Sequence, residues 1–157
     1  MTATASPFVI PQAGGAALID GKAAAAEIDA RVGEGARALT ARLGRPPCLA
    51  VVLVGDDPAS QVYVRNKVRR TEAAGMTSVE HRRSADMSEA ELVALVERLN
   101  ADDGVDGVLV QMPLPAHIDA GRVIETIDPA KDVDGLTSAS AGRLVQGAAG
   151  LRPCTPS

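Results

Sequence analysis

The sequence predicts an α/β fold, a three-layer α/β/α sandwich built on a mainly parallel sheet. Cys48–Val54 and Val105–Val110 are apolar runs rich in β-branched residues, the pattern of strands covered on both faces. Around them lie segments with helical start and stop signals, so strand and helix alternate along the chain. The composition agrees: of 157 residues 46% are hydrophobic and 23% charged, enough apolar material for a core and too little charge for a disordered chain.

Residues 1–16 mix Thr, Ala, Ser, Pro and Gly without a hydrophobic period and read as a flexible arm, leaving 17–157 as one domain. Asp20 is placed to cap a helix whose apolar positions Ile28, Val32, Ala36, Leu39 and Leu43 approximate one buried stripe, and Gly44 ends it. After the strand at Cys48–Val54 comes the loop Gly55–Ser60, in which Asp57 is an N-cap and Pro58 the first helical residue. That helix runs to about Ala74, before Gly75. A polar strand follows at Thr77–Arg83, and Ser88 with Glu91 spells a capping box for the next helix. Beyond the strand Val105–Val110 the pattern gives a short helix near Ala120–Ile127, behind Asp119, and a last one around Ala139–Val145. Repeated units of this length need crossovers that lay helices on both sheet faces.

Several function classes drop out. One Tyr, one Phe and no Trp leave nothing for stacking single-stranded nucleic acid, and a net charge of −4 offers no basic field for phosphate backbones or an anionic membrane. No apolar run is long enough to span a bilayer, and the first cation is Lys22, which gives no signal-peptide pattern. Cys48 and Cys154 stand far apart without a Cys-x-x-Cys or a nearby His, so neither a zinc site nor a disulfide framework is signalled; a reducing cytoplasm fits, and no metal is expected.

Gly33-Glu-Gly35-Ala-Arg-Ala38 spells a dinucleotide fingerprint, but inside a helical pattern and with no strand before it, so it reads as two glycines tolerated in a surface helix. His81 and His117 lie apart from each other and from acids in sequence and read as structural or solvated. Only three of the 16 cations are lysines, Lys22, Lys67 and Lys131. Lys67 follows Tyr63 at i+4 on the first turns of a helix that leaves the carboxyl end of a strand, where open α/β sheets bind ligands. The pair could also be an amphipathic Lys covering an apolar stem beside a packing Tyr. Gln111 directly follows the second apolar strand and precedes Met112-Pro113-Leu114-Pro115, either as a strand end or, if the two strands are neighbours, beside Lys67. Asp134 stands before Gly135 in a turn sequence that by itself is a common solvated turn. Asp56-Asp57 after an apolar strand imitates the acidic pair of a phosphoacceptor receiver domain, yet that domain needs an Asp where this chain has Gln111.

Taken in order, Ser60-x-x-Tyr63-Val-x-x-Lys67, Gln111-Met-Pro-Leu-Pro115, Lys131-Asp-Val-Asp134-Gly-Leu-Thr137 and Pro153-Cys-Thr-Pro156 resemble the signatures of the methylenetetrahydrofolate dehydrogenase/cyclohydrolase family. The resemblance spans about Ala17 to Pro156, the family's amino-terminal catalytic domain and the start of its interdomain connection; the family's carboxyl-terminal Rossmann NAD(P) domain is absent from this chain. It implies oxidation of methylenetetrahydrofolate to methenyltetrahydrofolate with NADP or NAD, then hydrolysis to formyltetrahydrofolate. It implies a folate cleft in which Lys67 is the catalytic residue and Gln111 holds its amine. Tyr63 would pack on the ligand's pterin and aminobenzoyl portion, Asp134 would accept from the amino-pyrimidine edge and Ser60 would support the site, while Asp132 and Val133 are structural. No residue of this chain is implied in cofactor binding. A homodimer is implied for complete members, and a noncatalytic folate-binding remnant is the alternative for this chain.

Overall fold

The computed structural model describes residues 8–11 and 13–153; the last residues of the Pro153–Pro156 signature lie outside that range. A hairpin opens the described chain: β1 (Val9–Pro11) pairs antiparallel with β2 (Ala17–Ile19). Part of the segment expected to be a flexible arm is therefore strand, with Gly14 and Gly15 at positive φ in the connecting loop. Three residues are too few for an alternation signal, which is why no period showed there.

The main sheet contains β3 (Cys48–Val54), β4 (Thr77–Arg83) and β5 (Gly107–Val110), all parallel, in the order β4-β3-β5. The most apolar strand is thus central and the polar strand lies at one edge. Side chains alternate across β3. Ala50, Val52 and Val54 join Val108 and Val110 under Leu92, Leu95, Val96 and Leu99 of α3 (Glu89–Ala101) and under Val123 of α4 (Ala120–Thr126). Val51, Leu53 and Leu109 face the other way, against Val64 of α2 (Pro58–Ala73). Two separate apolar layers, one on each sheet face, make the three-layer sandwich. Burying each such aliphatic side chain contributes roughly 1.5–3 kcal/mol.

Helix boundaries follow the capping chemistry. Asp20 accepts from the Ala23 N–H and Gly44 closes α1 (Gly21–Leu43) with φ of 72°. Asp57 accepts from the Ser60 N–H at the start of α2, and Ser88 and Glu91 form a reciprocal capping box on α3. Strand β5 starts two residues later than its apolar run suggests. The Asp106 carboxylate accepts from the Cys48 N–H at 2.7 Å and from Arg45 at 2.6 Å, so the strand entry is tied by a side chain before the ladder begins at Gly107. The remaining helix is α5 (Ser138–Val145).

Helix α1 departs from expectation. Its buried residues are Gly33 and Ala36, whereas Ile28 of the expected buried stripe is 58% exposed and Val32 is also exposed. Gly33 is therefore an inward-facing glycine rather than a surface one, close to the Ala74 carbonyl at the end of α2.

Candidate functional site

The carboxyl ends of β3 and β5 lie side by side, with Val52 opposite Val110 and the Gln111 N–H donating to the Val52 carbonyl. This adjacency is what the placement of Gln111 beside Lys67 requires. The loop after β3 turns through Gly55 and Asp57 into α2, whose first turns carry Ser60, Tyr63 and Lys67 back over the rim.

Four groups form one hydrogen-bonded chain there. Lys67 Nζ donates to Gln111 Oε1 at 3.3 Å, Gln111 Nε2 donates to the Met112 carbonyl at 2.7 Å, and Ser60 Oγ donates to the same carbonyl at 3.4 Å. The arrangement explains why an amide stands at position 111. Its NH2 satisfies a backbone carbonyl, which turns its oxygen toward the lysine; a carboxylate could not donate and would face the carbonyl with like polarity. Ser60 is buried and Lys67 half-buried. An ammonium has three donors, and among the described residues Gln111 is the hydrogen-bond partner of Lys67, so donors remain for a ligand. Tyr63, one turn earlier on the same side of α2, is 63% exposed. The Met112–Pro113 peptide is cis.

Asp134 lies outside this chain of bonds. The segment before it runs beside β5: Asp132 forms a parallel bridge with Val108, and the Val108 N–H donates to the Lys131 carbonyl. Asp134 is half-buried on the turn that follows, closed by the Gly135 N–H donating to the Asp132 carbonyl. Gly135 sits at φ of 66°, and a Cβ on it would stand 2.8 Å from the backbone of Arg152 and Pro153, so only glycine fits both the dihedral and the space.

The other residues singled out by sequence have structural partners. Lys131 Nζ donates to the carbonyls of Leu99, Asn100 and Asp102, closing the carboxyl end of α3. His117 Nε2 meets the Met87 carbonyl at 2.9 Å. The Nε2 of His81 is buried without a partner among the described residues, and burial, then Arg83 and Arg98, hold its pKa below the usual value. Among the described residues no three His, Cys, Asp or Glu gather as metal ligands. No described helix is long and apolar enough to cross a membrane. The receiver-like reading fails on geometry as well: Asp57 is engaged in capping α2, its carboxyl held low by bonds from Ser60.

Sequence reasoning missed one contributor, the Met112 carbonyl at the hub of the hydrogen-bonded chain, because no side-chain pattern announces a carbonyl. Asp132, read from the sequence as structural, is buried and fixes the turn that carries Asp134.

Comparison with known proteins gives a consistent result. Residues 19–134 match the family model described as tetrahydrofolate dehydrogenase/cyclohydrolase, catalytic domain. The chain is 76% identical over 139 residues to a Maricaulis maris protein named bifunctional protein FolD, covering 88% of this chain and 47% of that one. Among solved structures, the bifunctional methylenetetrahydrofolate dehydrogenase/cyclohydrolase from Campylobacter jejuni superposes with a TM-score of 0.82 at 43% identity, covering 86% of this chain and 48% of its own. The Trypanosoma brucei enzyme, solved with NADP cofactor and inhibitor, gives 0.81 at 33% identity, covering 87% and 47%. The chain spans about half the length of the curated relatives it matches. With the sheet, the rim and these matches in agreement, the chain belongs to the tetrahydrofolate dehydrogenase/cyclohydrolase family and carries its catalytic domain.

Proposed function

We propose that this chain supplies the folate-side catalytic domain of an enzyme that oxidises methylenetetrahydrofolate to methenyltetrahydrofolate and hydrolyses the product to formyltetrahydrofolate. The observation that supports this most is the chain of bonds from Ser60 through Met112 and Gln111 to Lys67, which holds one amine at the sheet rim with donors to spare. In hydrolysis, water adds to the methenyl carbon, and the adduct opens as a ring nitrogen leaves and takes a proton. Lys67 is the group that exchanges protons with that hydrated carbon, and Gln111 keeps its amine on line. The exposed Tyr63 ring offers a face for the flat pterin and aminobenzoyl groups. Asp134 accepts hydrogen bonds from the amino-pyrimidine edge, and Ser60 braces the Met112 carbonyl.

NADP or NAD, when bound, supplies the hydride acceptor of the oxidation. The only fingerprint-like string of this chain does not fit it: Gly33 lies well inside α1 and packs near Ala74, and no strand aims that position at a pyrophosphate. We therefore assign no cofactor-binding residue to residues 1–157 and expect no NADP binding by this chain alone. Its setting is the cytoplasm, and the complete enzyme acts as a homodimer.

The test is hydrolysis of methenyltetrahydrofolate, followed by its absorbance, in a full-length protein carrying this domain, together with an NMR titration of the 157-residue chain with folate. Lys67-dependent hydrolysis and folate shifts centred on Tyr63, Gln111 and Asp134 are expected. Hydrolysis indifferent to Lys67→Met, or shifts elsewhere on the surface, would overturn the reading.

A further inference from the structure

Asp132 is the most enclosed acid described in the molecule, with 1% of its surface exposed. Both of its carboxylate oxygens are engaged: Oδ1 accepts from the Leu136 N–H at 3.1 Å and Oδ2 from the Thr137 N–H at 2.9 Å. Thr137 Oγ1 in turn donates to Ser140 Oγ and caps α5 through the Ser140 N–H. Meanwhile the backbone of the same residue works on the other side of the turn: its carbonyl accepts from the Gly135 N–H, and its place beside Val108 docks the segment to β5.

One residue thus binds the turn before and after position 134. Residues 135, 136 and 137 all donate their N–H groups to Asp132, and Asp134 is the half-buried acid left at the tip. Val133, the remaining member, is locked by its own packing: its side chain lies over Gly107, where a Cβ would collide with Val133 Cγ1. The backbone on both sides of Asp134 is therefore fixed, and the direction in which Asp134 can present its carboxylate is set from below.

We propose that Asp132 is a positioning residue for folate recognition, holding the turn from Val133 to Thr137 in the shape that presents Asp134 to the pterin. The inference rests on the proposed folate reading of Asp134 and assigns the neighbouring acid a part in ligand selectivity. Asn cannot replace it. Asn keeps one acceptor oxygen, but its NH2 would point at an N–H that needs an acceptor, so two donors would face each other inside the turn. Asp132→Asn is consequently no neutral control for Asp134→Asn, although the paired acids in the sequence invite that use.

The test compares two probes on the 157-residue chain by NMR titration: folic acid and its analogue lacking the 2-amino group. A general loss of stability weakens both probes alike; loss of positioning erases the preference between them. The wild type should favour folic acid about tenfold, the size of one hydrogen bond to a charged group. Asp132→Asn should reduce that preference to near unity while the amides of β3 keep their protection from exchange. Should Asp132→Asn fail to fold, Ser140→Ala removes the hydroxyl that anchors Thr137 Oγ1 beside the carboxylate and should lower the preference by a smaller factor. A preference that persists undiminished in these variants overturns the inference alone. A wild type that shows no preference overturns the pterin reading of Asp134, and this inference with it.

Discussion

The two lysines that the interior of this fold employs, Lys67 and Lys131, meet opposite fates. Lys131 has an acceptor for every proton of its ammonium: three carbonyls at the end of α3. Lys67 has the single side-chain oxygen of Gln111, at a longer distance, on an open rim. Both are half-buried and both are scarce in a chain that otherwise uses arginine. What separates the two lysines is saturation of their donors, and the proposed chemistry falls to the one with donors to spare. The same contrast separates Asp132, whose carboxylate is filled, from Asp134, whose carboxylate has no hydrogen-bond donor among the described residues.

The largest expected effect breaks the comparison at its chemical end. In a full-length protein carrying this domain, Lys67→Met should lower the rate of methenyltetrahydrofolate hydrolysis by roughly a hundredfold to ten-thousandfold, the usual cost of losing a general acid-base group. Lys67→Arg should not restore it, because a guanidinium stays protonated at any working pH. Lys131→Met should leave that rate alone. An arginine variant with near-normal hydrolysis would show that Lys67 only positions the ligand.

A second experiment sharpens the role of the amide. Gln111→Glu keeps the size of the side chain but removes the donor that satisfies the Met112 carbonyl and places a negative charge beside Lys67. The carboxylate would hold the amine in an ion pair and away from a ligand, so the hydrolytic rate should fall. Gln111→Ala should also slow hydrolysis, but by a smaller factor. Equal losses in the two variants would argue that the amide matters only for shape.

How much of this was legible in the sequence depends on which force sets each feature. Caps and apolar runs are local, so α2 and α3 begin where Asp57 and Ser88 place them, and β3 and β5 are found by composition alone. The start of β5 was misjudged because Asp106 is tied by Arg45 and Cys48, contacts from far along the chain that no window around Val105 contains. The stripe on α1 has the right spacing, yet only Ala36 of it is buried, while Ile28, Val32, Leu39 and Leu43 stay exposed; periodicity reports what a helix could bury, not what lies against it. At the site, Tyr63, Lys67 and Gln111 were visible as residue types near strand ends. The Met112 carbonyl and the filled carboxylate of Asp132 were not, because backbone acceptors and hydrogen-bond saturation leave no mark in a list of side chains.

A third prediction tests the structural lysine. Lys131→Met keeps the aliphatic stem but leaves three carbonyls of the α3 terminus without their charged donor. Stability should fall by about 1–2 kcal/mol, since partly exposed carbonyls recover water as a substitute. Denaturant unfolding of the 157-residue chain would read this directly. A loss near zero would mean that the three contacts replace water bonds of equal worth.

The smallest effect concerns pH and the buried acid of the turn. Burial pushes the Asp132 carboxyl up, but bonds from the Thr137 and Leu136 N–H groups, with the neighbouring Ser140 and Thr137 hydroxyl dipoles, outweigh it and hold it below the usual aspartate value. A carboxylate depressed in the folded state binds fewer protons there than in the unfolded chain. Its stabilisation is therefore complete above the unfolded aspartate value of about 4 and is lost as the pH falls through the lower folded value. Asp57, Glu91 and Asp106 are depressed as well and add to the same acid limb, through bonds from Ser60, Ser88 and Arg45 respectively. Urea unfolding between pH 6 and roughly pH 2.5 should thus show stability declining below about pH 4 in the wild type and declining less steeply in Asp132→Asn, whose side chain does not titrate. Equal slopes for wild type and Asp132→Asn would show that the hydrogen bonds around Asp132 survive protonation, and would remove the distinction between a filled and an open carboxylate on this turn.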